Sequence, residues 1–210
     1  RVRGVEMQDD SAGTHLNDFH GYYVDGVLPV GKELGLTEKV VFNPIAQRAG
    51  EAEVAVTFVG RALLTVQTVR RYGEGDRIIR VETEIELRAG SPELFFRNRV
   101  RKISGFRHEA GYFVYPVRVD RQKWHLDTCQ QGYIHDYRNE KLDGAAIQNF
   151  AFQDFAVIAD HENGMMLHSF QAGIMSVGET PKYFSTARQY DERDKPHLFL
   201  YCYTHLRVTN

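Results

Sequence analysis

This sequence has little cysteine, no apolar run of membrane-spanning length and no extreme charge. The two cysteines, Cys129 and Cys202, are too few and too far apart for a disulfide framework or a zinc motif. We therefore expect two buried free thiols in a reducing compartment, with one long-range disulfide as the alternative. No run approaches the roughly 18 apolar residues that cross a bilayer, and no signal peptide is visible. These absences predict no membrane partner and a cytoplasmic location.

The charge balance also excludes partners. The net charge is −2 and the isoelectric point is about 6.5, so a nucleic-acid partner is not expected. Phosphate-binding glycine loops and the motifs HExxH, GxSxG and CxxC are absent. None of the nine histidines is two residues from another, which is the spacing that a metal site on a strand favours. We expect no metal site and no cofactor in this chain.

What is present is a long stretch of alternating residues from 63 to 102. Three apolar-alternating runs are separated by two turn clusters, GEGD and RAGSP. This pattern predicts an antiparallel meander. The middle run alternates Ile79 and Val81 with Arg80 and Glu82, so one face is predicted to be buried and the other to contact water.

Charge and hydrophobicity together predict the register of the second and third runs. A shift of one residue would move every apolar side chain to the wrong face, so the two patterns must agree. They agree in the register that pairs Leu87 with Leu94, Ile85 with Phe96, Val81 with Val100, Glu84 with Arg97 and Glu82 with Arg99. The arginines of the third run are thereby interpreted as partners of glutamates and not as a nucleic-acid surface. The first run keeps no clean alternation and is harder to register.

The remaining chain also has the pattern of strands. Strands are predicted at 51–59, 110–119, 121–127, 150–159, 164–170, 173–177 and 197–208, with 18–26 as a strand edge or loop. Residues 27–50 carry prolines and glycines that oppose any long regular element, and 128–143 is interpreted as a long loop. The last strand is apolar on both faces, so we expect it to lie between two layers. No segment has a helical period.

These elements predict an all-β fold, a large two-layer antiparallel β-sandwich. Its 210 residues are compatible with a single domain. Residues 1–17 are predicted to be an irregular lead-in. The chain starts at Arg1 without a methionine and ends directly after an apolar run, so we expect it to be part of a longer protein.

The residues alone do not identify a reaction. Carboxylates are plentiful, and a glycosidase needs two of them about 5 to 9.5 Å apart, which sequence cannot show. Aromatic residues reach 12% of the chain. Their rings suit strand cores and sugar-facing surfaces equally well.

One long segment resembles a known family. From Glu109 to Pro116 the chain has a Glu-Ala-aromatic strand ending in an aromatic-Pro step, followed by a turn at Leu142–Ala145 and a strand from Gln153 to Leu167. The preceding Leu87, Gly90, Pro92, Leu94, Asn98 and Val100 match the same pattern, and the closing 203–210 looks like the family's last segment, with Thr204, His205 and Arg207 as departures. This order resembles the C-terminal β-sandwich region of family 38 glycoside hydrolases, the α-mannosidases.

The resemblance implies a role in carbohydrate metabolism and the large sandwich shared with galactose-mutarotase-like proteins. Members are zinc-dependent retaining α-mannosidases, but their zinc ligands and nucleophile belong to an N-terminal α/β barrel that this sequence lacks. The implied chain is therefore non-catalytic and contributes no catalytic residue. Its implied partners are that barrel in the same parent protein and a glycan substrate, with a homo-oligomer also possible. The candidate carbohydrate contacts, chosen for their positions near turns and strand ends, are Tyr23, Asp25, Tyr115, Arg118 and Trp124.

Two alternatives stay open. A free-standing aldose mutarotase or epimerase on the same architecture would use a histidine acid and a carboxylate base. The pairs to test are His125 with Asp127 and His168 with Asp154. The other alternative is a structural or carbohydrate-binding module without catalysis.

Overall fold

The computed structural model describes residues 15–25, 41–75, 77–103, 108–120, 123–130, 132–136, 149–178 and 196–205. In these ranges the chain forms strands and turns and no helix. The strands are β1 (Asp18–Asp25), β2 (Val41–Pro44), β3 (Gln47–Val59), β4 (Leu63–Tyr72), β5 (Ile79–Arg88), β6 (Leu94–Arg101), β7 (Glu109–Pro116), β8 (His125–Gln130), β9 (Tyr133–Asp136), β10 (Asn149–Ala151), β11 (Phe155–Ala159), β12 (Gly164–His168), β13 (Ile174–Val177) and β14 (His197–His205).

The chain divides into two compact units. The sandwich unit comprises Arg1–Asn43 and His108–Asn210, and the meander unit comprises Pro44–Arg107. The prediction of a single domain over the whole chain is not tested by this division and stays a prediction. Within the part that the structure describes, no helix is long and apolar enough to cross a membrane.

The sandwich unit has a six-stranded sheet in the order β10-β13-β14-β7-β1-β2 and a four-stranded sheet in the order β12-β11-β8-β9. All pairs with an assigned register are antiparallel, so the predicted all-β antiparallel sandwich is confirmed. Both faces of β7 are buried, and so are both faces of β14 from His197 to Leu200. The prediction that the last strand lies between two layers agrees with this burial.

Close approach of two rings explains a glycine in the centre of β7. A Cβ on Gly111 would lie 2.6 Å from Tyr203 Cε1 and 2.8 Å from Phe19 Cε2. The Phe19 and Tyr203 rings are stacked, with their centroids 6.3 Å apart. A side chain at position 111 would displace these rings, so the position requires glycine.

The meander unit is one sheet in the order β3-β4-β5-β6. Every pair of the predicted β5–β6 register is confirmed, from Leu87 opposite Leu94 to Glu82 opposite Arg99. The turn between these strands contains Gly90 with a φ of 77°, the left-handed region that favours glycine. The first run pairs Val66 with Ile85 and Tyr72 with Ile79.

Its irregular alternation has a structural reason. By register, Arg70 lies on the apolar face of the sheet beside Val81, and Val69 lies on the charged face beside Glu82, where it is buried. Arg70 therefore lies on the face where alternation predicts an apolar residue, and Val69 lies on the face where it predicts a charged one.

The predicted bounds of several elements were wrong. Residues 150–159 form two strands in different sheets, β10 and β11, because Phe152–Asp154 turn the chain between them. The described part of the predicted loop 128–143 contains strands, since β8 continues to Gln130 and pairs with β9 beyond a turn at Gly132, whose φ is 80°. β3 begins at Gln47, before the predicted start.

The outcome of the other boundary predictions depends on which residues the structure describes. The turn DHEN between β11 and β12 is confirmed, with the Asp160 N–H donating to the Asn163 carbonyl at 2.8 Å. Of the predicted lead-in, residues 15–17 are described, and Asn17 is buried with a φ of 62°. Residues 1–14, 137–148 and 206–210 lie outside the described residues.

Candidate functional site

The five residues predicted as carbohydrate contacts do not form one surface. Tyr115 and Trp124 are only 5% and 1% exposed, so neither ring offers a face to a sugar. The Tyr115 hydroxyl donates to Asn17 Oδ1 at 2.9 Å instead. Trp124 is also not in a strand: its N–H donates to the Asp120 carbonyl in the turn that precedes β8. We therefore withdraw the prediction that Tyr115 and Trp124 stack on a sugar.

The other three candidates are separated along β7. Tyr23 is half-buried and pairs with Glu109, the first residue of β7, whereas Arg118 is exposed just beyond its last residue. A strand of eight residues spans about 26 Å, so one small sugar cannot contact both. Asp25 ends β1, beside Tyr23, and its side chain lies outside the described residues. Tyr23, Asp25 and Arg118 stay predictions.

One of the two predicted histidine–carboxylate pairs is formed. His125 Nε2 lies 3.5 Å from Asp127 Oδ2, because the two residues are adjacent on the same face of β8. Both side chains are partly exposed. In contrast, the His168 ring lies 4.5 Å from the Phe170 ring, and Asp154 Oδ2 lies 3.9 Å from Cys129 Sγ. No contact among the described residues joins His168 to Asp154.

The densest group of polar and aromatic side chains was not predicted. It lies on one face of the six-stranded sheet, where the register places His20 beside Tyr112 and Tyr112 beside Tyr201. Strand alternation adds neighbours two residues away on the same face. We call this surface the aromatic–histidine face; it comprises Asp18, His20, Tyr22, Tyr112, Ser176, His197, Phe199 and Tyr201.

Contacts among the rings order this face. The Tyr112 hydroxyl donates to the Tyr22 hydroxyl at 3.3 Å. Tyr112 and Tyr201 pack edge to face with centroids 4.7 Å apart, and His20 packs edge to face on Phe199 at 6.4 Å. Such geometries are favourable for aromatic pairs, so the rings hold one another in place.

Burial favours the uncharged forms of His20 and Tyr112 on this face. The pKa of His20 is lowered by burial and by His197, although Asp18 opposes this shift. The pKa of Tyr112 is raised, first by burial and then by Tyr201 and Tyr22. At neutral pH the imidazole of His20 and the phenol of Tyr112 are therefore uncharged, and together they provide hydrogen-bond donors and acceptors.

Ser176 adds an unexplained polar group to the same face. It lies beside Phe199 in the register of β13 and β14 and is 1% exposed. Its hydroxyl has no hydrogen-bond partner among the described residues. Leaving a buried hydroxyl without a partner costs about 1–3 kcal/mol, so such groups are uncommon. Neutral donors and acceptors in an apolar setting are typical of a site for an uncharged polar ligand.

The sequence does contain a signal for this face. His and Tyr alternate with apolar residues at 20–22 and at 197–201. What sequence could not show is that these segments lie on either side of the strand containing Tyr112.

The described residues do not supply a zinc site. Among them no three histidine, cysteine, aspartate or glutamate side chains come together as a ligand set. Cys129 and Cys202 are both free thiols, Cys129 buried and Cys202 exposed. No family model and no curated protein matches this sequence.

Proposed function

We propose that this chain is the non-catalytic C-terminal β-sandwich region of an α-mannosidase-like protein of glycoside hydrolase family 38. In this proposal it acts in carbohydrate metabolism in the cytoplasm and supports a zinc-dependent barrel that lies outside this sequence. The observation that carries it is the position of the residues behind the resemblance. The Glu-Ala-aromatic segment is β7 from its first residue to its last, and Phe155–Leu167 lies in the β11–β12 hairpin.

Two glycines of the resemblance have physical roles that support the proposal. Gly90 has the positive φ of the β5–β6 turn. A Cβ on Gly164 would lie 2.8 Å from the Ala159 Cβ across the hairpin. The matched residues are thus ones that an antiparallel sheet of this shape requires, and Asn98 likewise accepts a hydrogen bond from Thr83 at 2.8 Å.

The decisive experiment is to read the complete open reading frame that encodes the chain and to assay its product. We expect a barrel with zinc ligands upstream, and zinc-dependent hydrolysis of an aryl α-mannoside by the complete protein. The 210-residue chain should not turn over this substrate. A reading frame without a barrel, or turnover by a clean preparation of the chain, would contradict the proposal.

Within this proposal the sugar contact is the partly exposed part of the aromatic–histidine face, at His20 and Tyr201. We expect methyl α-mannoside to shift NMR signals of His20 and Tyr201, and Tyr201→Phe to weaken that binding by removing one hydroxyl. His125→Gln, on an open face of the other sheet, is the matched control. Equal binding by both variants would show that the sugar does not bind at this face. It would not contradict the family proposal.

A mutarotase-like enzyme is the second candidate because His125 and Asp127 are in contact. An imidazole and a carboxylate 3.5 Å apart can act as acid and base on an aldose. This candidate predicts that the chain accelerates aldose mutarotation in a polarimeter and that Asp127→Asn abolishes the acceleration. Asp154→Asn is the control, because Asp154 contacts Cys129 instead. Mutarotation no faster than in buffer would exclude this candidate.

A further inference from the structure

The outer edge of β3 is open. β3 is the first strand of its sheet and pairs only with β4 among the described residues. Every residue from Ala52 to Gly60 is exposed, including Val54 at 71%, Val56 at 60% and Phe58 at 52%. An exposed apolar edge strand presents unpaired backbone groups on which another strand can pair.

Charge does not protect this edge. Glu53 is the one charged residue from position 52 to 59. Its carboxylate is already held by Arg71 Nη1 at 3.2 Å, across the β3–β4 pair. Another strand can therefore pair with the β3 backbone without burying a charge that lacks a partner.

The opposite edge of the same sheet is protected. β6 presents the mostly exposed side chains of Arg97, Arg99 and Arg101. These three cations share the two carboxylates of Glu82 and Glu84, so the edge keeps a net positive charge. Two β6 strands brought side by side would place these cations close together, which is a known way to prevent edge pairing. The sheet thus has one edge that accepts a strand and one that rejects a copy of itself.

We propose that two copies of this chain associate through β3, pairing antiparallel about a two-fold axis at Val54. In this register Val54 lies opposite its own copy and Ala52 lies opposite Val56. Glu53 lies opposite Ala55, so the two carboxylates do not face each other. The two four-stranded sheets become one sheet of eight strands.

The bulge in β3 limits the pairing to its first part. The β3–β4 register shifts between Val56 and Phe58. A bulge twists the strand locally, so Ala52–Val56 is the regular segment, and Val54 is its centre. Because β6 rejects a copy of itself, the contact closes as a dimer and does not extend into a filament.

Cysteine cross-linking tests both the contact and the register. Directly opposed residues of an antiparallel pair have Cα atoms about 4.5–5.5 Å apart, within the range of a disulfide. In a Cys202→Ser background, which removes the exposed thiol, we expect Val54→Cys to form a covalent dimer on mild oxidation. Val56→Cys should stay at background, because it opposes Ala52. Equal cross-linking of both variants would mean random collision and would overturn the proposal.

Mass in solution is the second measurement. By light scattering, the unmodified chain should have twice the mass of one copy at micromolar concentration. Val54→Lys should halve that mass by opposing two ammonium groups. The control is Met166→Lys, on the edge strand β12, where Met166 is 65% exposed, and it should leave the dimer intact. A monomeric parent chain, or a dimer unaffected by Val54→Lys with unchanged circular dichroism, would overturn the proposal.

Discussion

At the scale of single residues, environment decides what an ionisable group can do. Asp160 illustrates this: its carboxylate accepts hydrogen bonds from the backbone N–H groups of Asp120, Glu162 and Asn163 at 2.5–2.7 Å. Desolvation opposes ionisation, but these donors outweigh it and lower the pKa. Asp160 is therefore an ionised group that fastens a turn, and it is poorly suited to act as a catalytic acid.

His20 shows the opposite case and supports a prediction about pH. Burial lowers its pKa below the ordinary value of 6.5, and His197 adds to that effect while Asp18 opposes it. As pH falls below about 6.5, the unfolded chain gains a proton on this residue before the folded chain does. This contribution to the free energy of unfolding is therefore complete above pH 6.5 and is lost as pH falls toward the lowered pKa.

The His20→Gln variant tests this sign. As pH falls from about 7.5 to about 5, we expect the free energy of unfolding of the parent chain to decrease more than that of the variant. Only the parent chain has the titrating imidazole of His20. Urea denaturation at both pH values measures the difference. A difference that is constant with pH would show that His20 titrates alike in both states.

At the scale of elements, the β5–β6 pair combines an apolar face with a charged one. Arg97 Nη1 lies 2.7 Å from Glu84 Oε1, and Arg99 and Arg101 both approach the Glu82 carboxylate. The arginine side chains are largely solvent-exposed, although that of Glu82 is mostly buried, so each pair contributes little stability. Their main effect is on register, since a shift of one residue would place each of these arginines opposite an uncharged residue and the apolar side chains on the wrong face.

Reversing one charge tests this role. We expect Glu84→Arg to lower the free energy of unfolding by about 0.2–1 kcal/mol, because it places two cations opposite each other. The double variant with Arg97→Glu should recover most of the loss. Urea denaturation of both single variants and the double variant completes the cycle. Additive losses in the double variant would mean that the two side chains do not interact.

At the scale of the whole molecule, the two units have different degrees of burial. In the sandwich unit β7 is buried on both faces, whereas β3 of the meander unit is exposed from Ala52 to Val59. Regions with few buried contacts open at lower free energy than the core does. In the monomeric Val54→Lys variant the meander unit should therefore show the faster hydrogen exchange, beginning at β3.

Paired core truncations test whether the units unfold separately. Ile79 in β5 and Ile158 in β11 are both buried, at 4% and 0% exposed. Each Ile→Ala change should cost about 2–5 kcal/mol. We expect Ile79→Ala to accelerate exchange in β4–β6 alone, and Ile158→Ala to do so in β8, β11 and β12. Acceleration of both units by either variant would support the single domain that the sequence predicts.

The class of the fold and the register of β5 with β6 follow from the amino-acid pattern. Alternation at Ile79, Val81 and Ile85 indicates strands, and the order of Glu82 and Glu84 against Arg97 and Arg99 allows one pairing. This was possible because the partners are close in sequence and two independent patterns, apolar and charged, agree. Trp124 and Tyr115 were misjudged as surface rings because composition cannot distinguish a buried aromatic from an exposed one.

Which distant residues share a surface depends on the pairing of strands that are far apart in the chain. His20, Tyr112 and Tyr201 belong to three strands far apart in the chain, and the pairing of β1 and β14 on either side of β7 brings them together. The same structure leaves β3 open at the edge of its sheet, although its sequence resembles that of a covered strand. Long-range pairing determines both outcomes, because burial depends on which strands become neighbours and a local pattern does not contain that information.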